Sequence, residues 1–377
     1  MGSWLSTDTP TIVDESKCMV RMSRDGNTMA ICLENGDLLL QNTHSGKTIA
    51  TLPQGAPYGK TVAIVFSPDE RWLAVCVATT HLSSLFVDPV DPGVIHVWDR
   101  KNNTCVTTHD TPFIGLHHSF GFSPDSRLLT SGIDLFSGTV QLWCVDNNWF
   151  ITRVLDNRLP GGIADASFSC DSRTLLCAGD ILVLWSIPHN PIDAITARRT
   201  DRLEPLHYVP SVCRVEFSPV DAAVFAIGSA DRGIYIAHIR EDNTISVQRR
   251  FCDYTLDSVV RLSFSPCGRQ LASRSLTCDM RVWDVASGKC LYTLPNTDRS
   301  VDHDITFLTN GQQLVVTRYV GELRVIMLCK WSERTHHLFC PDFRRRVVWV
   351  LCARARLAKA EQNMPYDIWR MIFQSLL

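Results

Sequence analysis

The chain has 377 residues, of which 45% are hydrophobic and 20% charged, with a formal net charge of −2. That balance excludes a general attraction for nucleic acid or anionic lipid. No run is long enough to span a bilayer, and the first thirty residues lack the continuous apolar core of a signal peptide.

Residues 1–10 read as a flexible N-terminal tail. Met1-Gly2-Ser3-Trp4-Leu5-Ser6 fits the loose pattern for acylation of Gly2, but no basic cluster follows to strengthen a membrane anchor. From residue 11 to 340 one phrase recurs. It is Phe66-Ser67-Pro68-Asp69, Phe122-Ser123-Pro124-Asp125, Phe168-Ser169-Cys170-Asp171, Phe217-Ser218-Pro219 and Phe264-Ser265-Pro266. Degenerate copies are Met22-Ser23-Arg24-Asp25 and Phe307-Leu308-Thr309-Asn310. The steps between copies are 44, 56, 46, 49, 47 and 43 residues. A fixed period of this size means one supersecondary unit repeated.

Each unit has the same grammar. A short apolar strand ends in the Phe, and Ser-Pro-Asp turns the chain. A second strand follows, as in Arg127–Ser131 or Gln270–Ser273. A third often carries Trp: Val94–Trp98, Val140–Trp143, Ile181–Trp185 and Met280–Trp283. A Ser-Gly-Lys turn (45–47 and 287–289) and a fourth strand close the unit. Four antiparallel strands in about 45 residues make one propeller blade. The seven blades are expected at 16–53, 60–109, 117–155, 162–199, 211–251, 258–294 and 300–340. The last needs a closing strand, for which Thr11–Val13 and His337–Phe339 are both open.

These units resemble the WD-repeat family. The name dipeptide stands at Trp98-Asp99 and Trp283-Asp284, and is altered to Trp143-Cys144 and Trp185-Ser186. Leu40, Ala237 and Ile326 take the Trp place in three units, and the family's structural Asp is matched at Asp231. The Gly-His dipeptide is missing throughout. The family's Trp–Ser–His–Asp chain is therefore not expected in most units, which should rely on apolar packing. The resemblance implies an all-β, seven-bladed propeller that docks proteins.

The departures from the period carry the functional expectation. Thr79–Gly93 is a surplus between second and third strands, with Leu82, Leu85 and Phe86. The next unit lengthens the same connection with Leu135 and Phe136, and the linker 107–116 adds Phe113 and Ile114. On a propeller these three connections leave from one face. They either form an apolar docking site or pack on one another. A second insertion, Pro188–Pro210, carries Arg198, Arg199 and Arg202 and reads as a solvated loop.

Residues 341–377 form a C-terminal extension, read as two short helices with Val347, Val348, Leu351, Ala355 and Ala358 on one face of the first. The apolar side of the second holds Ile368, Trp369, Ile372 and Phe373. Met364–Phe373 resembles the opening helix of an F-box. Leu351-Cys352 followed by Met364-Pro365 resembles the ends of a SOCS box. That resemblance implies ubiquitin-ligase subunits as partners, docked through Leu351, Cys352, Pro365, Ile368, Trp369 and Phe373. A clasp on the chain's own sheets is the other reading.

Nothing points to catalysis. Ser45-Gly46-Lys47-Thr48 lacks the upstream Gly of a phosphate loop, and no Gly-x-Ser-x-Gly elbow exists. Cys329, His336, His337 and Cys340 match no common zinc spacing. Phe343-Arg344-Arg345-Arg346 is similar to a phosphoinositide signature whose final Gly is here Arg346. Fifteen cysteines, an odd number without Cys-x-x-Cys, suggest buried free thiols in a cytoplasmic protein. The expectation is a non-enzymatic scaffold binding other proteins, without cofactor or metal. A ubiquitin-ligase adaptor and a phosphoinositide-binding propeller stay open beside it.

Overall fold

The computed structural model describes residues 19–33, 36–53, 60–78, 93–111, 120–131, 139–144, 150–156, 163–179, 182–188, 199–200, 212–242, 244–252, 258–277, 279–294, 302–311, 313–318 and 323–327. Its strands form seven consecutive antiparallel sheets, six of four strands and the last of three among the described residues. The first strands of the seven sheets are Val20–Met22, Lys60–Phe66, Gly121–Phe122, Ile163–Phe168, Val212–Phe217, Val259–Phe264 and Asp302–Phe307. In each sheet the strands pair in the order of the chain. The units therefore have the expected grammar. Both candidates for the closing strand, and the whole of 1–18 and 328–377, lie outside the described residues.

The Ser-Pro-Asp turn is a hairpin with one extra residue. The Ser67 amide donates to the Trp72 carbonyl at 2.9 Å, and the Glu70 amide to the Ser67 carbonyl at 2.9 Å. The same two bonds recur from Ser123, Ser169, Ser265 and Ser23. The third residue after each of these serines sits in the left-handed region: Glu70, Ser126, Ser172, Gly268 and Gly26. That is a bulged turn, in which glycine is comfortable and other residues are strained. The turn Asp secures it, since Asp125 Oδ1 accepts from Ser123 Oγ at 2.6 Å and from the Arg127 amide at 3.1 Å.

Packing between sheets holds the assembly. Ala30 and Leu40 of the first sheet meet Ile64, Phe66 and Leu73 of the second. Trp72, Ile95 and Val97 meet Leu129 and Trp143 of the third. Further clusters join third to fourth, fourth to fifth, fifth to sixth and sixth to seventh. Leu308 and Val315 of the last sheet then pack on Val20, Met22, Met29 and Ile31 of the first. The Thr309 amide also donates to the Arg24 carbonyl at 3.0 Å. The circuit closes, an arrangement consistent with a seven-bladed propeller.

Two tryptophans make the first bond of a Trp–Ser–His–Asp chain. Trp143 Nε1 donates to Ser131 Oγ at 2.5 Å, and Trp283 Nε1 to Ser273 Oγ at 2.8 Å. Each serine lies two residues beyond the partner of the Trp on the neighbouring strand. In the second sheet that place belongs to Val75, and the buried Trp98 Nε1 has no partner among the described residues. Ser273→Ala is expected to cost about 1–3 kcal/mol, because it orphans a buried donor. Val75→Thr is expected to cost nothing or to stabilise, since its hydroxyl meets the Trp98 donor. Urea midpoints check both, and a costly Val75→Thr would contradict the pairing.

Two expectations need correction. The insertion after Trp185 is not all loop: Arg199–Thr200 pairs with Leu184–Trp185 as the outer strand of the fourth sheet. The outer edge of that sheet would otherwise leave backbone groups unpaired. Nor are all the described cysteines buried. Cys32, Cys76, Cys144 and Cys177 are, but Cys105 is exposed on an outer strand. Burial pushes the Cys76 thiol up to about 12, so it packs as an apolar group at neutral pH.

Candidate functional site: the rim connections and the axial channel

Leu82, Leu85, Phe86, Phe113, Leu135 and Phe136 lie outside the described residues, as do Leu351, Cys352, Pro365, Ile368, Trp369 and Phe373. The strand ends that carry the first group are described. Gly93, where the 79–92 connection returns, pairs with Ala78 on one side and with Thr111 on the other. The 79–92 and 112–119 connections thus leave one end of the second sheet. Gly121, where the latter enters the third sheet, pairs with Thr130, one residue before the 132–138 connection leaves Ser131. All three connections spring from the same end of two adjacent sheets.

The second feature is a cavity of about 280 Å3, lined by residues from the first strand of every sheet. It is the axial channel of the circuit. Counted back from the Ser of each turn, or from Leu308 in the last, the lining comes in two tiers. Four residues before it stand Met19, Ala63, Asp165, Arg214 and Arg261. Two before it stand Arg21, Val65, Gly121, Ser167, Glu216, Ser263 and Thr306. Arg24 and Pro68 lie at the turn end.

A bulge precedes the first tier. Register shifts fall between Thr61 and Ala63, Ile163 and Asp165, Val212 and Arg214, and Val259 and Arg261. Each leaves one residue without a ladder partner and re-aims the next side chain. Two arginines cap the carbonyl just before them, Arg214 Nη1 to Cys213 at 2.6 Å and Arg261 Nη1 to Val260 at 2.7 Å.

These first strands are sheet edges, so their channel-side amides need acceptors. Side chains of the preceding sheet supply them. Asp165 Oδ2 accepts from the Val215 amide at 2.9 Å, and Ser167 Oγ from Phe217 at 3.1 Å. Glu216 Oε1 accepts from Phe264 at 3.1 Å, and Ser263 Oγ from Phe307 at 3.2 Å. The first sheets are tied differently, at the turns. Glu70 Oε1 accepts from the Arg24 amide at 3.0 Å, Ser126 Oγ from Asp69 at 3.0 Å, and Ser172 Oγ from Asp125 at 3.0 Å.

Burial dominates the electrostatics of the channel. It pushes Glu216 up to about 8 against the pull of the Phe264 amide and Arg24. It pushes Asp165 up to about 6, with Arg214 the largest opposing influence. Burial and then Arg24 lower Arg21 to about 10. Arg261 is lowered well below its ordinary value by burial and by Arg214, Arg274 and Arg21. Four arginines and two carboxyls among the described lining residues make this a crowded polar core.

None of these channel groups was singled out from the sequence. Val-Cys-Arg-Val-Glu-Phe alternates like a strand with one wet face, and alternation does not say whether that face sees bulk water or a channel. A usable signal was there: Asp165, Arg214 and Arg261 stand at the same offset from the turn serine in three successive units.

No family model matches the chain. It is similar to "Transcription initiation factor TFIID subunit 5" of Caenorhabditis elegans, 22% identical over 256 residues, 66% of this chain and 35% of that protein. It is also similar to "Periodic tryptophan protein 2" of Arabidopsis thaliana, 25% identical over 275 residues, 70% of this chain and 26% of that protein. The chain spans about a third of the first relative's length and about a quarter of the second's. With the repeated four-stranded sheets, these matches amount to a distant homology with WD-repeat proteins. No helix among the described residues is long and apolar enough to cross a membrane.

Proposed function

We propose that the protein is a non-catalytic scaffold that docks another protein on the end of the second and third sheets. The carrying observation is the common origin of three apolar connections at that end. The sheets beneath are rigid, with Leu73, Ala74, Val75, Leu129 and Trp143 almost wholly buried. A stiff frame that presents long variable connections suits recognition, since little ordering entropy is lost on binding. Phe86, Phe136 and Leu85 supply the large apolar groups that anchor such contacts. The distant WD-repeat homology agrees with this use.

The test compares proximity labelling by the full chain and by the double variant Phe86→Asp, Phe136→Asp. The double variant is expected to lose the principal labelled partner while keeping the wild-type urea midpoint. Labelling unchanged in the folded double variant would refute the assignment.

A further inference from the structure

Two polar atoms in the channel have no partner among the described residues. Arg214 Nε is buried and unbonded, as is Glu216 Oε2. The two residues are two apart on one strand, so their side chains share a face, and both line the cavity. Arg214 is 8% exposed, and among the described residues its side chain bonds to two carbonyls, Cys213 at 2.6 Å and Ala164 at 3.5 Å. A buried guanidinium with a free donor is costly to leave so. Around it stand Arg21 and Arg261, with Arg24 exposed at the turn end. The carboxyl of Asp165 is already engaged, by the Val215 amide and by the Ala166 amide at 2.9 Å.

We infer that the axial channel binds a small oxyanion of the phosphate class, held by Arg214 and Glu216. The cavity of about 280 Å3 admits inorganic phosphate or a small phosphate ester and is too small for a folded partner. Guanidinium nitrogen donates to one oxygen of the anion. The Glu216 Oε2 hydroxyl donates to a second, while Oε1 keeps the Phe264 amide. Arg21 and Arg261 contribute charge, and Arg24 marks the entrance.

The Glu216 proton gives the site a pH signature. Burial favours that proton, and its loss above about 8 turns the donor into a repelling carboxylate. The charged groups facing Glu216 are Asp165, Arg214, Arg24, Arg21 and Arg261. The strands packed on either side of Glu216, Ile163–Phe168 and Val259–Phe264, carry no charged side chain besides Asp165 and Arg261. Asp165, raised to about 6, completes its titration early in the window used, well below Glu216.

The probe is inorganic sulfate, whose charge does not change near neutrality, titrated calorimetrically into the full chain against chloride at matched ionic strength. Phosphate and glycerol phosphate form the second and third arms and separate a free ion from an ester. Saturable sulfate binding is expected at about pH 6.5, weakening about tenfold or more by about pH 9. Glu216→Gln keeps a donor at all pH values and should flatten that profile. Arg214→Met should remove binding about tenfold or more, and its urea midpoint is read alongside, because the variant also leaves the buried Asp165 without its nearest opposing charge. Arg24→Ser, at an exposed position, gives a weaker loss and stands in if the Met variant does not fold. Sulfate indistinguishable from chloride, or a pH profile unchanged in Glu216→Gln, would overturn the inference and leave the two orphan atoms to water.

Discussion

Raising the pH from about 6.5 to about 8.5 is expected to weaken the fold, and Glu216→Gln to remove most of that loss. The sign follows from Glu216. Its carboxyl titrates near 4.5 in the open chain and is pushed up to about 8 by burial in the fold. Between those values the folded state holds a proton that the unfolded chain has lost, so stability falls as pH rises. Each tenfold preference is worth about 1.4 kcal/mol, so the full shift is worth about 5 kcal/mol, of which about 2 kcal/mol is lost between about pH 6.5 and about pH 8.5. Asp165, raised to about 6, acts in the same direction but adds only about 0.2 kcal/mol by linkage, at the start of this window. His96, lowered by burial, acts oppositely and mainly at lower pH, where its charging opposes folding. Gln at 216 keeps the acceptor for the Phe264 amide and cannot ionise. Urea unfolding at a series of pH values reads the slope. A wild-type protein with a flat profile across this window would refute the assignment, as would a variant with the same slope.

Trp143→Ala is expected to cost about 3–5 kcal/mol, near the total stability of many domains. The ring is 1% exposed and lies in the cluster between the second and third sheets. It loses its apolar packing, its bond to Ser131 and its contact with the His109 ring at 4.7 Å. Trp98 gives the internal control. It is 4% exposed but leaves Nε1 without a partner among the described residues, so Trp98→Phe removes an orphan donor while Trp143→Phe removes a made bond. Trp143→Phe is expected to be the costlier of the two by about 1 kcal/mol or more. Equal urea midpoints for the two Phe variants would refute that ranking.

Much of this architecture was legible because its grammar is local. The Ser of the repeated phrase bonds to the turn beyond it, so each copy marks one hairpin, and even Met22-Ser23-Arg24-Asp25 keeps the geometry. The Trp-to-Ser bonds were less legible, since the pairing register that brings Ser131 under Trp143 is not written in either strand alone. The bulges were not legible at all. Nothing in Val-Val-Arg-Leu distinguishes the skipped Val260 from its neighbours, yet that skip aims Arg261 into the channel. The apolar connections proposed for docking were found as surplus length against a fixed period. Their side chains lie outside the described residues.

The ties between sheets carry a polarity. Among the described residues, the side-chain acceptors Asp165, Ser167, Glu216 and Ser263 sit on the earlier sheet and the amides they receive on the later one. At the turns of the first four sheets the order is reversed. A lesion in one unit therefore strands a backbone group in a predictable neighbour, clockwise in one arc and anticlockwise in the other. The fourth unit, which lends side chains in both directions, is the keystone where the two senses meet.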